Sequence, residues 1–354
     1  MATERAMARQ TNLFDHLRLL AATMVFISHE IGARHSAVSM FSIGLWGAWG
    51  VNIFFAISGY LNTISLLSKR SVSIFLISRA ARIYPALIGC IAMTVLVGSF
   101  LTTSSWSAYW SGQTFEYFWR NSGLFFGLRQ YLPGLFEHNP VTGTNASLWT
   151  LPIEARYYLY LAFGLLLLRF NRWAIGGVFA VLIAYLLTAA PHVTLDQETL
   201  RLGLIFVAGS AMAACQGLWG LRVCALAFSA LAVALAVVGQ GEAAFFLATA
   251  VASIVIGQMQ VSEKFKVPVD ISYGFYLYAF PIQQIVVSLK LPLGVGSVLA
   301  LLATATAATL SALIVERPAV RAASHLKRWI AAQEPIWRWR RGSQTSPAPS
   351  RLAD

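Results

Sequence analysis

Apolar residues follow one another along this chain in ten long runs, separated by short polar or charged connections. The runs are residues 13–32, 45–67, 83–103, 148–168, 173–190, 200–217, 223–238, 243–259, 271–289 and 295–315. A helix needs about 20 mostly apolar residues to cross the hydrocarbon core of a bilayer, and only the seventh and eighth runs are short for this. The pattern therefore predicts an all-α fold: a polytopic membrane bundle of about ten transmembrane helices.

The composition agrees with this interpretation and excludes a soluble domain. Of the 354 residues 57% are hydrophobic and only 11% are charged, and the mean hydropathy is +0.65. The three cysteines all lie within apolar runs and have no metal-like spacing, so we expect no disulfide framework and no metal site.

The basic residues are distributed unevenly between the two sides of the predicted membrane. Nineteen of the 26 lysines and arginines lie in connections on the side of the N-terminus, whereas four lie on the opposite side and three within the runs. Positive charge accumulates on the cytoplasmic side of membrane proteins, so both termini are predicted to be cytoplasmic. The net charge of +12 is then a topology signal, and no nucleic-acid partner is expected.

The chain is predicted to form one transmembrane domain, residues 1–330, followed by a basic and disordered cytoplasmic tail, residues 331–354. The longest connection, residues 104–146, is rich in aromatic residues and too polar to span. We expect it to form a loop on the outer side of the membrane.

Ionisable residues inside the first run are the strongest functional signal in the sequence. Arg18 and His29 are eleven positions apart, which on a helix is about three turns, so the two side chains share one face about 16 Å apart. Asp15 precedes Arg18 by one turn. Ionisable groups at membrane depth are costly and usually mark a functional site. Two structural explanations are also possible. The Arg18 side chain could extend to the membrane interface, and the hydrogen-bonding groups of His29 could be satisfied within the helix bundle.

Two further groups of charged residues have a structural and a functional interpretation. Arg79 and Arg82 lie one helical turn apart at the cytoplasmic end of the third run. They could anchor the helix at the interface or bind phosphate groups, which suit guanidinium groups. Glu154 lies about 9 Å into the fourth run, where a carboxylate is costly unless it is paired or faces water.

Several polar or amphipathic residues could line a cavity beside these charges. Asn52 and Ser58 interrupt the second run, Trp149 lies at the start of the fourth, and Tyr273 and Tyr276 lie near the start of the ninth. Packing contacts, or a belt of aromatic side chains at the membrane interface, would explain such residues equally well.

Taken together, these segments resemble the membrane acyltransferase-3 family. Arg18 and His29 match its signature of an arginine and a histidine separated by ten residues, and GVNIFFAISGYL, SRAARIYP, NASLWTLPIE, ISYGFYLYAFPIQQ and VERP match later blocks in the same order. Two positions depart from the family pattern: Asn52 stands where an aspartate is common, and Ala279 where a histidine is usual. The hydrolase-like domain fused to some members is absent from this sequence.

The resemblance implies an O-acyltransferase that moves an acyl group, usually acetyl from cytoplasmic acetyl-CoA, to a sugar hydroxyl of a surface or exported glycan. It implies a multi-pass protein of the inner membrane of a bacterium, with the lipid bilayer and a carbohydrate acceptor as partners. His29 would act as general base, Arg18 as a catalytic or CoA-binding group, and Glu154 as a secondary polar member of the site. Arg79 and Arg82 would bind the phosphates of acyl-CoA, and Asp15 would support the site.

Two other functions are compatible with these residues. A proton-coupled exporter of sugars or lipid-linked glycan intermediates could use the same buried His, Arg and Glu as a proton relay. Transporters often contain internal repeats, and none is visible in this sequence. A catalytically silent scaffold for polysaccharide assembly is the third possibility, but it would leave the charged first run without a purpose.

Overall fold

The computed structural model of the protein describes residues 10–34, 40–189 and 197–333. Thirteen α-helices lie in these ranges: α1 Phe14–Arg34, α2 Met40–Lys69, α3 Val72–Leu101, α4 Trp106–Tyr109, α5 Gly112–Gly123, α6 Thr150–Leu167, α7 Arg172–Ala189, α8 Gln197–Trp219, α9 Leu221–Val237, α10 Gly241–Gly257, α11 Ser272–Ser288, α12 Leu293–Leu310 and α13 Arg317–Gln333. Short 3₁₀ turns occupy Ala146–Trp149 and Glu263–Phe265, and a π-helical segment, Ser311–Glu316, joins α12 to α13.

Each of the ten apolar runs coincides with one of the long helices, so the helical fold class is confirmed. Four helical segments of the described chain are long and apolar enough to cross a membrane: Trp46–Lys69, Val72–Leu101, Glu198–Trp219 and Leu293–Ile330. Three shorter helical segments, Arg172–Tyr185, Leu221–Val237 and Gly241–Gly257, are also apolar. The number of about ten membrane crossings and the cytoplasmic position of both termini stay predictions.

Helix α3 begins eleven residues before the apolar run that predicted it. The Ser71 hydroxyl accepts a hydrogen bond from the backbone N–H of Ile74 at 3.3 Å, which is a typical N-cap interaction. As a consequence Arg79 and Arg82 belong to the first turns of a regular helix, and their spacing of three places them on one face.

Helix α2 packs closely against α8 because glycines face the partner backbone on both helices. A Cβ atom at Gly59 would lie 2.1 Å from the carbonyl oxygen of Phe206, and one at Gly209 would lie 2.4 Å from that of Ala56. Small residues allow membrane helices to approach at this distance. The contact holds Ser58, the neighbour of Gly59, in a constant position relative to the bundle.

Helix α11 lies deep in the bundle, and 13 of its 17 residues are buried. It packs against α1, α3 and α12. At 1.5 Å per residue it is about 25 Å long, and Phe280 is its central residue. Because α11 runs buried through the bundle, residues at its start and residues at its end can line two different sites.

The predicted outer loop, residues 104–146, contains α4 and α5 and is held against the bundle. The buried Tyr109 hydroxyl donates to the carbonyl oxygen of Val95 on α3 at 2.7 Å. The Asn121 side chain donates to the carbonyl oxygen of Arg129 and accepts from its N–H, both at 2.9 Å. This connection is therefore folded and packed against the bundle, and we call residues 104–146 the folded cap.

Two short strands, β1 Gln10–Asn12 and β2 Gln260–Ser262, form an antiparallel pair and are a small departure from the all-α prediction. They join the start of α1 to the segment that follows α10. The tail predicted for residues 331–354 lies outside the described residues from position 334 onward.

Candidate active site

A cavity of about 360 Å³ opens between the beginnings of α3 and α11, the end of α2 and the first turns of α1. Five cationic side chains line it: Arg18, Lys69, Arg79, Arg82 and Lys327. Farther in, the walls combine apolar residues such as Val51, Phe54, Phe55 and Leu151 with hydroxyl groups and one carboxylate. We call it the charged cavity. Its composition suits a molecule that is anionic at one end and less polar along its length.

Arg82 is held by two carboxylates from distant parts of the chain. It forms an ion pair with Asp270, which precedes α11, and a second with Glu316, at 3.3 Å, in the π-helical segment. Arg317, the residue after Glu316, donates to the carbonyl oxygen of Pro268 at 2.8 Å. Most of the charge of Arg82 is thus balanced by protein groups.

Asp270 lies outside the membrane-spanning helices. Burial by itself would raise its pKa, but Arg82, hydrogen bonds from Ser272, and Arg18 together hold the pKa of this carboxyl below its usual value. Its Oδ1 accepts from the Ser272 hydroxyl at 2.6 Å. Asp270 is therefore anionic at neutral pH and fastens the start of α11 to α3.

Arg79 is in a different situation from Arg82, although the two are one turn apart. Its guanidinium carbon lies 5.8 Å from the centre of the Phe75 ring, and its buried Nε atom has no hydrogen-bond partner in the part of the chain that the structure describes. Arg79 consequently keeps donors and charge that an anionic ligand could use. Arg18 lies between these two cases, because it forms an ion pair at 3.1 Å with Asp15, whose side chain is half-exposed.

Glu154 forms a polar cluster with two hydroxyl groups on the wall of the cavity. Its Oε1 accepts a hydrogen bond from Ser58 Oγ at 2.6 Å and another from the Tyr158 hydroxyl. The two hydroxyl oxygens are 3.0 Å apart. These two hydrogen bonds offset part of the cost of placing a carboxyl group away from bulk water.

Tyr276 and Thr150 form the inner wall of the charged cavity. The Tyr276 hydroxyl donates to the carbonyl oxygen of Ser147 at 2.8 Å and lies 2.7 Å from the Thr150 hydroxyl. Behind this wall, Ser147 Oγ is 3.5 Å from His29 Nδ1. The His29 ring meets the Phe280 ring edge-on at 5.2 Å. His29 is thus one layer of side chains beyond the cavity, at the level of the middle of α11.

Two buried amides lie within one helical turn of the His29–Phe280 contact. Asn145 Nδ2 donates to the carbonyl oxygen of Leu277 at 3.1 Å, and Gln283 Nε2 donates to that of Phe26 at 2.9 Å. The amide oxygens of both residues lack a hydrogen-bond partner among the described residues. Buried acceptors without partners are uncommon and suggest that a hydroxyl donor can enter here.

The structure brings together most of the residues that the sequence singled out. Those that line the charged cavity are Arg18, Ser58, Arg79, Arg82, Glu154, Tyr273 and Tyr276. Four others do not line it: His29 lies behind the inner wall, Asp15 touches Arg18, Asn52 is buried with its Oδ1 unpartnered within the described chain, and Trp149 is 37% exposed.

Sequence reasoning missed Lys69, Tyr158, Asp270 and Lys327, which also line the cavity. Tyr158 follows Glu154 by one helical turn, so the spacing could have indicated it. Asp270 directly precedes the ninth run, which is a weaker signal. No sequence pattern connects Lys327 with the other cations, because α13 reaches the cavity only through tertiary packing.

The fold and the cavity together define a helical membrane protein with a charged site that opens at one end of the bundle. The profile of the acyltransferase-3 family, described as "Acyltransferase domain", matches residues 12–317. The chain therefore belongs to the acyltransferase-3 family and is an acyltransferase, as the sequence motifs indicated.

Two relatives illustrate the range of the family. The chain is 28% identical over 298 residues to an O-acetyl transferase of Shigella phage Sf6, an alignment that covers 79% of this chain and 86% of that protein. It is 34% identical over 188 residues to Nodulation protein 10 of Rhizobium leguminosarum bv. viciae, of which it spans about half, 49%. No solved structure matches the chain.

Proposed function

We propose that this acyltransferase moves a short acyl group, acetyl in the first instance, from cytoplasmic acyl-CoA to a hydroxyl group of an envelope or exported polysaccharide. It would act in the inner membrane of a bacterial cell. The observation that carries the proposal is the charged cavity, whose cationic mouth leads to a wall that is hydrogen-bonded to the segment contacting His29. The O-acetyl transferase relative supports acetyl as the group transferred.

The residues of the charged cavity fit a CoA thioester as donor. CoA carries phosphates at one end and a thioester at the far end of a long arm. Arg79 and Arg18 would bind the phosphates with the help of Lys69 and Lys327, since guanidinium groups bind phosphate well. Arg82 would keep the mouth in shape, because its charge is already balanced by Asp270 and Glu316.

The position of Arg18 favours a role in donor binding over one in the chemical step. It lines the mouth of the cavity, and eleven residues of helix, about 16 Å, separate it from His29. Glu154 lies on the wall between the two levels and holds Ser58 and Tyr158 in position. In this proposal Glu154 shapes the path of the thioester arm.

His29 would act as general base. The acceptor hydroxyl oxygen attacks the thioester carbonyl carbon while its proton passes to the imidazole. A C–O bond forms, the C–S bond breaks, and the CoA sulfur leaves and takes the proton from the imidazolium, which restores the neutral base. Ser147, 3.5 Å from Nδ1, would orient the ring so that the other nitrogen faces the acceptor. Such base catalysis typically contributes about 10²–10⁴-fold to a rate.

The proposal is tested with purified protein in vesicles, labelled acetyl-CoA and polysaccharide extracted from cells that lack the gene. The expected result is transfer of label to the polysaccharide together with release of one CoA thiol per acyl group. Succinyl-CoA supplied in parallel distinguishes the acyl donors. An exporter would instead move glycan across the vesicle without consuming acyl-CoA, and that result would overturn the proposal.

A further inference from the structure

A second cavity, of about 630 Å³, lies at the opposite end of α11 from the charged cavity. We call it the outer groove. Its walls are the end of α3 and the residues just after it, residues 134 and 136–140 of the folded cap, the end of α11 and the start of α12. Its volume is within the range of about 300–1,000 Å³ that is typical of ligand sites, and the proposed donor site does not use it.

Helix α11 places His29 between the two cavities. Ser272 and Tyr273, at its start, line the charged cavity, whereas Val287 and Ser288, at its end, line the outer groove. Phe280, which contacts the His29 ring, is eight residues from either end, or about 12 Å. A substrate that enters from the groove therefore approaches His29 from the side opposite to the charged cavity.

The side chains of the groove suit a neutral molecule rich in hydroxyl groups. Glu137, His138 and Lys290 are exposed and supply a carboxylate, an imidazole and an ammonium group. Thr103 and Ser288 also line the groove. Groups that accept and groups that donate hydrogen bonds are thus mixed, whereas the charged cavity gathers five cations. Sugar hydroxyls both donate and accept, so such a mixture can satisfy them.

The groove also offers apolar surface on which a sugar ring can lie. The side chains that provide it are Leu101, Phe136, Pro140, Val287, Leu291 and Leu293. A mostly apolar lining with a few convergent polar groups is the usual composition of a small-molecule site.

The cap segment of the groove is held in place by the helix that contacts His29. The Gln284 side chain donates to the carbonyl oxygens of Val141 and Gly143 at 2.6 and 2.5 Å. It also accepts from Asn139 Nδ2 at 3.0 Å. Gln284 lies one turn beyond Phe280, so the groove and the base share one rigid support. This arrangement favours a substrate site whose position relative to His29 is preset.

We infer that the outer groove binds the carbohydrate acceptor and presents one of its hydroxyl groups toward His29. This inference rests on the proposed function and names the place at which its acceptor enters. The unpartnered oxygens of Asn145 and Gln283 lie within one helical turn of the His29–Phe280 contact and can accept hydrogen bonds from sugar hydroxyls. Donor and acceptor would then reach the base from opposite ends of the bundle.

The first test is kinetic and uses oligosaccharides released by mild acid from the polysaccharide of cells that lack the gene. In the double variant His138→Ala, Lys290→Ala, the KM for these oligosaccharides should rise about tenfold, since a lost hydrogen bond is worth roughly that factor. The KM for acetyl-CoA should stay the same. The matched control is Gln113→Ala, an exposed change on α5 outside the groove. An unchanged acceptor KM in the double variant would overturn the inference and leave the donor site standing.

A second test measures binding without turnover. Ser288→Cys places a thiol in the groove, and the parent protein reports the labelling of Cys90, Cys215 and Cys224. The same oligosaccharides should slow maleimide labelling of the new thiol at least threefold, whereas CoA should not. Protection by CoA alone would overturn the inference. Protection by oligosaccharide in a protein that consumes no acyl-CoA would support the groove as a glycan site and refute acyl-CoA as the donor.

Discussion

The charged cavity and the outer groove lie at the two ends of α11, and they differ in whether their charged side chains are paired with protein groups or exposed to water. In the charged cavity Asp270 and Glu316 both bind Arg82, and Glu154 accepts two hydrogen bonds. In the groove Glu137 and Lys290 extend into solvent. Burying a charged side chain costs desolvation free energy unless the charge is paired, whereas a charged side chain in water does not lose its hydration. The comparison shows that the carboxylates beside Arg82 and the Glu154 carboxylate are held by partners within the protein, whereas the charged side chains of the groove are hydrated.

The largest expected effect concerns the residue between the two cavities. His29→Ala should lower the rate of acyl transfer about 10²–10⁴-fold, because it removes the proposed base. The assay is incorporation of labelled acetyl groups into glycan, and His16→Ala on the same helix is the matched control. A normal rate in His29→Ala would show that the two cavities do not meet at this imidazole.

The next effect separates the two neighbouring arginines of the charged cavity. Arg82→Ala leaves the buried Glu316 carboxylate, 3% exposed, without its partner. It should lower the free energy of unfolding by about 3 kcal/mol, the low end for a broken buried pair, since Arg82 itself is one third exposed. The change appears as a lower melting temperature in detergent, and Glu316→Gln introduced together with Arg82→Ala should restore part of it.

Arg79→Ala, one turn away, provides the contrast. Arg79 makes no ion pair in the described part of the chain, so its loss should leave the melting temperature nearly unchanged. The KM for acetyl-CoA should rise about tenfold, because a charge-assisted contact to phosphate disappears. A larger loss of stability in Arg79→Ala than in Arg82→Ala would contradict the division of roles.

A smaller effect is expected at the groove, where a neutral amide holds the cap. Gln284→Leu leaves the carbonyl oxygens of Val141 and Gly143 without their donor, at a cost of about 1–3 kcal/mol. Hydrogen–deuterium exchange should accelerate in peptides covering residues 134–145. Gln283→Leu is the control, since Gln283 bonds to Phe26 on α1 and should affect α1 instead. Equal exchange of the folded cap in both variants would contradict the proposal that Gln284 holds the cap in place.

The smallest effect is a pH dependence at the mouth of the charged cavity. The folded-state pKa of Asp270 is lowered, so its contribution to stability is complete above the unfolded pKa of about 3.9 and is lost as the pH falls below it. The melting temperature should decrease below about pH 4 in the parent protein and less steeply in Asp270→Asn.

The matched change in the outer cap is Glu116→Gln. A hydrogen bond from Arg129, together with Arg120, lowers the pKa of Glu116 as well. Its ion pairs are at the surface, however, where water screens them and their contribution is small. The pH dependence of the melting temperature should therefore be close to that of the parent. A steeper change in Glu116→Gln than in Asp270→Asn would reverse this comparison.

Much of the site was accessible from local sequence, and the reason is the regularity of the helix. Arg18 and His29 share one helix, so a spacing of eleven residues predicts a common face and a separation. Arg79 and Arg82 likewise follow from their spacing. The motif order indicated the family correctly, and the profile match over residues 12–317 agrees with it.

The pairing of charges could not be predicted in this way. Glu316 is next to Arg317 in the sequence, but it reaches Arg82 because the π-helical segment and α3 pack together. Ser58 meets Glu154 only because α2 and α6 are in contact. The wall between His29 and the charged cavity depends on Ser147 and Tyr276, which come from different parts of the chain.

From the amino-acid order alone one could locate the helices, assign the protein to a membrane, and name the polar residues that interrupt the apolar runs. These properties depend on hydropathy and on a period of 3.6 residues, both of which are local. The packed helices were needed to show which cations remain available, how far His29 lies from the charged cavity, and that a second cavity exists. Those properties depend on close approach between helices, as at Gly59 and Gly209, and a one-dimensional pattern does not contain distances between helices.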